Sequence, residues 1–202
     1  MRVIRRSTRS GTIHAMGEVW LITGIPGAGK TTVARLLAER FERAVHIEGD
    51  LLQGWIVSGN VWPGQEPVEE SSRQIHLNMR NQCLLANSYA TAGFTPIIDY
   101  VIVNRASLHE YRQQLRGLSV HLVVLHPGKS VVIAREWARE KSQRHKRKHG
   151  MTIGAHFAHL ETPLVEQLTG VGFWIDNAAL TPVATVEEIL DNRERARLDS
   201  AN

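Results

Sequence analysis

Short apolar runs alternate with helix-periodic stretches along this chain. Residues 19–23 (Val-Trp-Leu-Ile-Thr) predict a strand, and the amphipathic run from Thr32 to about Phe41 predicts a helix. Residues 44–47 predict a second short strand that ends at Glu48-Gly49-Asp50. Residues 53–68, rich in Gly, Pro and Trp, predict an irregular loop. A long helix follows over 69–92. There Ile75, Met79, Cys83, Ala86 and Ala90 recur at spacings of three and four, and Gly93 stops the run. Residues 95–103 predict a third strand with Pro96 at its start, where a missing N–H is tolerated. Next come a helix over 105–116, a strand over 120–125 and, after the Pro127-Gly128 turn, a helix over 131–141. The last elements are a helix over 157–169, a strand over 173–175 and a helix over 183–190 introduced by Thr181-Pro182. Repeated strand–helix units of this kind predict an α/β fold, a parallel sheet with helices on both faces. No internal repeat and no second domain is visible, so residues 17–202 are expected to form one domain.

Between the first strand and its helix stands Gly24-Ile25-Pro26-Gly27-Ala28-Gly29-Lys30-Thr31-Thr32. This is a complete G-x-x-x-x-G-K-[ST] phosphate-binding loop in its strand–loop–helix context. Its glycines let backbone N–H groups turn toward phosphate oxygens, and the helix N-terminus adds a positive dipole end. Lys30 is expected to reach the β- and γ-phosphates of a nucleoside triphosphate, and the Thr31 hydroxyl to hold Mg²⁺.

Composition adds bounds. A chain of 202 residues with 43 % hydrophobic and 22 % charged content is an ordinary globular sequence. No apolar run approaches bilayer-spanning length. The one cysteine, Cys83, cannot form an intrachain disulfide, which points to a reducing, cytoplasmic setting. The formal charge of +4 suggests a polyanionic partner until it is located. Arg2, Arg5, Arg6 and Arg9, in an acid-free stretch, account for all of it. The remainder is neutral, which argues against a nucleic-acid partner. Met16 begins Met-Gly-Glu-Val-Trp directly before the first strand, so residues 1–16 are expected to be a basic, disordered extension.

Other residues suit phosphoryl transfer. In an open α/β sheet, ligands bind at the carboxyl ends of the strands. Asp50, past the second strand, is there placed to accept the proton of an attacking hydroxyl. Asp99, in the third apolar run, suits a water-mediated contact to Mg²⁺. The two aspartates can share the metal shell, and the pattern does not divide the labour between them. Arg135 and Arg139, four residues apart on one helical face, are candidates to neutralise charge on the transferring phosphoryl group. They open a lid expected over about 135–156 that excludes water. Trp55 and Trp62 flank Asp50 and can wall an acceptor with an apolar ring and one N–H donor each. Arg73 and Arg80 follow on the next helix, and either could hold an acidic group of the acceptor. The pairs His145/His149 and His156/His159 have helical spacing, but no cysteine or carboxylate pattern completes a zinc site. The basic run 144–149 lacks the interleaved aromatics that stack bases.

Four features together resemble the small P-loop kinases: the phosphate loop, Gly49-Asp50, the Arg135/Arg139 segment and the ending Gly-Val-Gly-Phe-Trp-Ile-Asp176-Asn177. The nearest group is that of chloramphenicol phosphotransferase-like and shikimate- or gluconate-kinase-like proteins, with zeta-toxin-like kinases further off. The resemblance runs from Gly17 to about Leu190. It implies a P-loop NTPase three-layer sandwich of nucleoside-monophosphate-kinase type, with a five-stranded parallel sheet and a helical lid. It also implies ATP as donor, Asp50 as the base that activates a hydroxyl of a small-molecule substrate, and Asp176 and Asn177 near the adenine. The sequence departs from adenylate and guanylate kinases in lacking their arginine-rich acceptor clamp, and no shikimate-kinase substrate pattern stands beside Asp50. A polynucleotide 5′-hydroxyl kinase and a nucleotide-dependent regulatory switch are the alternatives that share the same loop.

Overall fold

The computed structural model describes residues 17–137, 143, 145–147 and 150–198. The expected extension at 1–16, Arg139 and parts of the expected lid lie outside the described residues.

Five strands form one sheet: β1 (Glu18–Thr23), β2 (Ala44–Glu48), β3 (Thr95–Asp99), β4 (Ser119–Leu125) and β5 (Phe173–Ile175). Their order is β2-β3-β1-β4-β5, and every pairing is parallel. Helices are α1 (Lys30–Ala38), α2 (Gly49–Gly54), α3 (Val68–Thr91), α4 (Arg105–Gln114) and α5 (Lys129–Trp137). Further along are α6 (Ile153–His156), α7 (Glu161–Leu168), α8 (Pro182–Asp191) and α9 (Arg193–Ala196). Among the described residues, no helix is long and apolar enough to cross a membrane.

A strand covered on both faces must be apolar on both, and β1 shows it. Val19 and Leu21 pack with Met79, Cys83 and Ala86 of α3, Leu108 of α4 and Leu164 of α7. Trp20 and Ile22 point the other way, to Val33, Ala34 and Leu37 of α1 and to Val186 and Ile189 of α8. Two layers of helices therefore sandwich the sheet. Burial pushes the Cys83 thiol up to about 12, with Glu110 adding to it, so at neutral pH it is an uncharged core side chain.

Two differences from the pattern reading bear on the site. The third strand stops at Asp99 rather than 103, because its neighbour β1 leaves the sheet at Gly24 to form the phosphate loop. Ile102 then bonds to the Thr23 hydroxyl through both its N–H and its C=O, outside the ladder. The residues after Glu48 form the short helix α2 rather than a turn running into loop. Its six residues, with glycine at each end, are too short to show a helical period.

Candidate active site

The phosphate loop carries Gly24, Gly27 and Gly29 at φ of 144°, 94° and 101°, in the region that glycine enters without steric penalty. At Gly27 a side chain is excluded twice over. A Cβ there would stand 2.8 Å from Val132 Cγ1 and 2.9 Å from Glu136 Cγ, since α5 lies directly on the loop. Gly29 occupies the N-cap of α1 without a side chain to cap the helix, which leaves the first-turn N–H groups for an anion. Lys30 opens α1, and its ammonium folds back over the loop to Ile25 O at 3.4 Å. Thr31 and Thr32 follow in the same first turn.

Around this loop the structure gathers residues distant in sequence. Asn177, buried after β5, donates through Nδ2 to Ala28 O at 3.0 Å. Arg135 of α5 donates through Nη1 to the same oxygen at 3.4 Å, and through Nη2 to Asn177 O at 2.7 Å and Ala178 O at 3.3 Å. Arg135 is thus engaged with backbone carbonyls of the loop and of the 176–180 segment. Asp176 is exposed, and its carboxylate accepts from Ala178 N at 2.9 Å.

The sheet order sets the other side of the site. Because β3 lies between β1 and β2, Asp99 ends a strand flanked by the phosphate loop and by Gly49-Asp50. Asp99 pairs in register with Ile22 on one side and Glu48 on the other. It is buried, its Oδ2 lies 3.5 Å from His46 Nε2, and that oxygen receives no hydrogen bond among the described residues. That carboxylate oxygen and the Thr31 hydroxyl are both oxygen donors, the ligand chemistry that Mg²⁺ takes.

Asp50 lies exposed in the first turn of α2. Its backbone is anchored by a chain of amides. Asn78 Nδ2 donates to Gly49 O at 2.9 Å, Gln82 Nε2 donates to Asn78 Oδ1 at 3.0 Å, and the Tyr111 hydroxyl donates to Gln82 Oε1. Tyr100 packs against Gly49. Burial pushes its hydroxyl well above the ordinary tyrosine range, the Asp50 carboxylate raises it further, and the Asn78 amide offsets part of this.

Tyr100 also walls a cavity of about 200 Å³ beyond the end of β3. Ser72, His76 and Met79 of α3 form one side, and Asn104, Ser107 and Tyr111 the other. His76 Nδ1 lies 3.2 Å from Glu110 Oε2. The remaining candidates from the sequence are less engaged. Arg73, on an exposed face of α3, makes a bidentate pair with Glu70 at 2.8 and 2.9 Å. Arg80 is exposed on the same helix. Trp55 is 70 % exposed at the end of α2. Trp62 is half-buried, and its carbonyl accepts from Ser71 Oγ at 3.1 Å.

Pattern reading missed the amides. Gln74, Asn78 and Gln82 are all buried at successive i,i+4 positions of α3, one residue ahead of Ile75, Met79 and Cys83. Gln74 accepts from Gln53 Nε2 at 3.0 Å and Val61 N at 2.9 Å, and donates to Gly59 O at 2.7 Å. It therefore ties the 55–67 loop to Gln53 of α2. The i,i+4 recurrence of three amides next to an apolar stripe was the available signal.

Comparison with known proteins agrees with the fold. The family model of the AAA domain matches residues 19–161, from β1 through the first residue of α7. The chain belongs to this AAA domain family. Among solved structures, a sugar kinase from Janibacter sp. HTCC2649 shares the fold of this AAA domain with a TM-score of 0.60 at 21 % identity, over 89 % of this chain and 96 % of the other. The Deinococcus radiodurans tunicamycin resistance protein gives 0.58 at 24 % identity, over 91 % and 99 %. The Mycobacterium tuberculosis APS kinase, solved with AMPPNP and APS, gives 0.63 at 16 % identity, over 89 % and 98 %. The fold is therefore that of the small P-loop kinases. A protein of Aeropyrum pernix described as a UPF0200 protein is 37 % identical over 54 residues. That match spans 27 % of this chain and 29 % of the length of this curated relative.

Proposed function

We propose that this AAA domain is an ATP- and Mg²⁺-dependent phosphotransferase that moves the γ-phosphoryl group of ATP to a hydroxyl of a small molecule. The observation that carries the reading is the strand order. It brings the phosphate loop after β1, Asp99 at the end of β3 and Asp50 after β2 side by side at the carboxyl edge of the sheet, with a cavity next to them.

The loop N–H groups and Lys30 would hold the phosphates, and the dipole of α1 favours their charge. Thr31 and Asp99 would hold Mg²⁺, directly or through water, and the ion would neutralise charge on the β- and γ-phosphates. The acceptor enters from the Tyr100 side. Its O–H proton passes to the Asp50 carboxylate as its oxygen bonds to the γ-phosphorus, the β–γ bridging P–O bond breaks, and ADP leaves with that electron pair. A cavity of about 200 Å³ is below the usual range for drug-sized ligands and suits a compact acceptor.

The test is incubation of the protein with ATP, Mg²⁺ and a mixed extract of metabolites and antibiotics, followed by mass spectrometry for new phosphorylated species. Asp50→Asn runs alongside. The reading expects a product with the natural protein and a rate about 10²–10⁴-fold lower with Asp50→Asn at unchanged MgATP affinity. Unchanged turnover in Asp50→Asn removes Asp50 from the mechanism. A phosphorylated oligonucleotide as the only product would move the assignment to a polynucleotide kinase.

A further inference from the structure

The peptide between Ala28 and Gly29 lies in the middle of the phosphate loop. Ala28 N–H is committed to Ile25 O at 3.1 Å, and Val33 N–H to Gly29 O at 3.0 Å, so the units on either side are fixed. Gly29 N–H makes no main-chain hydrogen bond outside the helices and strands among the described residues. Gly29 has a φ of 101°, a backbone conformation that glycine adopts without steric penalty. The carbonyl of this peptide is held from outside the loop. Ala28 O accepts from Asn177 Nδ2 at 3.0 Å and from Arg135 Nη1 at 3.4 Å. Ala28 is fully buried and Asn177 is 4 % exposed, so the Asn177 bond forms away from solvent, where it is stronger than in water, while the longer Arg135 bond is part-buried.

A trans peptide points its C=O and N–H in opposite directions. Two donors that hold Ala28 O toward α5 and the 176–180 segment therefore hold Gly29 N–H facing away from them. We propose that Arg135 and Asn177 are positioning residues that lock the Ala28–Gly29 peptide so that Gly29 N–H is presented to the triphosphate. Arg135 also bonds Asn177 O and Ala178 O, so it sets the donor that shares its acceptor. The two side chains thus act on the phosphates through the loop backbone, in addition to any contact that the 176–177 segment makes with the base. This inference rests on the phosphate-binding reading of the loop.

The experiment measures the affinity of the purified protein for MgATP and for magnesium tripolyphosphate, which has no base, by titration calorimetry. It compares the natural protein with Asn177→Leu, the nearest uncharged shape without a donor, and with Arg135→Lys, which keeps the charge and loses the fork. Melting temperatures without ligand report whether each variant is folded, a property separate from affinity. In Asn177→Leu, both ligands are expected to weaken by the same factor, about tenfold, as loss of one buried charge-free donor and its fixed acceptor predicts. Arg135→Lys is expected to weaken both by a smaller common factor. Loss of MgATP affinity with tripolyphosphate affinity intact would place Asn177 and Arg135 on the base and overturn the proposal. Variants equal to the natural protein for both ligands overturn it as well. A natural protein that binds neither ligand refutes the phosphate-loop reading itself, a separate result. If a variant does not fold, the natural protein decides by amide NMR. The Gly29 N–H resonance must move on adding magnesium tripolyphosphate, and its standing still while neighbouring amides move sinks the idea.

Discussion

The hydroxyl of Thr23 makes two hydrogen bonds to one residue: it accepts from Ile102 N at 2.8 Å and donates to Ile102 O at 3.0 Å. Thr23 is the last residue of β1 and is fully buried. Its side chain extends the β1–β3 ladder past the point where the β1 backbone turns into the phosphate loop. Thr23→Val keeps the shape and removes both bonds, stranding a buried N–H and a buried C=O. It is expected to lower stability by about 2–4 kcal/mol, read by denaturant unfolding. A variant as stable as the natural protein would mean that the 100–104 segment finds other partners.

Asn78→Leu tests how the candidate base is held. It leaves Gly49 O without its donor and breaks the chain through Gln82 to Tyr111. The expectation is a loss of about 1–3 kcal/mol of stability. Once an acceptor is known, kcat should fall while MgATP affinity stays, because the phosphate loop lies on a different strand end. Equal losses in both would show that the damage is global.

Gly49→Ala tests the packing beside Asp50. The backbone of Gly49 is ordinary, but an added Cβ would overlap the Tyr100 ring and stand 2.5 Å from Gln82 Nε2. Neither neighbour is free to retreat, since Tyr100 is buried and Gln82 is fixed by two hydrogen bonds. Overpacking of this kind costs about 1–3 kcal/mol. A melting curve checks it, and a neutral result would show that Tyr100 can swing into the cavity.

His121 makes stability depend on pH. It is buried, stacked on Trp20 at 4.4 Å and 16°, with Glu18 Oε2 3.8 Å from its Nδ1. Burial pulls its pKa down to about 4, and the Arg193 and Arg197 guanidinium groups push the same way against backbone bonds to Ser119 and Val19. The folded protein therefore holds His121 neutral, while the unfolded chain protonates it below about 6.5. Stability is full above that value and drains as pH falls toward 4. Between pH 7 and 5 the expected loss from this group is about 2 kcal/mol. His121→Phe should flatten that part of the pH profile, and identical profiles would assign the acid sensitivity elsewhere.

The order of elements and the phosphate loop were legible because their signals are local. Alternation of short apolar runs with 3.6-periodic stretches marks buried strands and covering helices, and Gly24 to Thr32 carries its own chemistry in nine consecutive residues. Asp50 and Asp99 stood out as candidates for a related reason: ligands gather at strand ends in such sheets, so a carboxylate there is conspicuous. Arg135 stood out in the sequence as a candidate cation. Its engagement with three backbone carbonyls was not legible, because those oxygens belong to residues 42 to 107 positions away.

What the sequence determined by itself was therefore the class of the fold and the phosphate-loop motif, since periodicity and a contiguous motif depend on neighbours along the chain. Tertiary structure decided that the strand ending in Asp99 lies next to the one that runs into the phosphate loop. That follows from β3 lying between β1 and β2, a choice of pairing that no single strand encodes. It also decided that Gln74, Asn78 and Gln82 sit inside rather than in water, because a buried amide is stable only where a particular donor or acceptor meets it. The Ala28 carbonyl, held by Asn177 from 149 residues away, is the same case: the partner exists only once the sheet has closed.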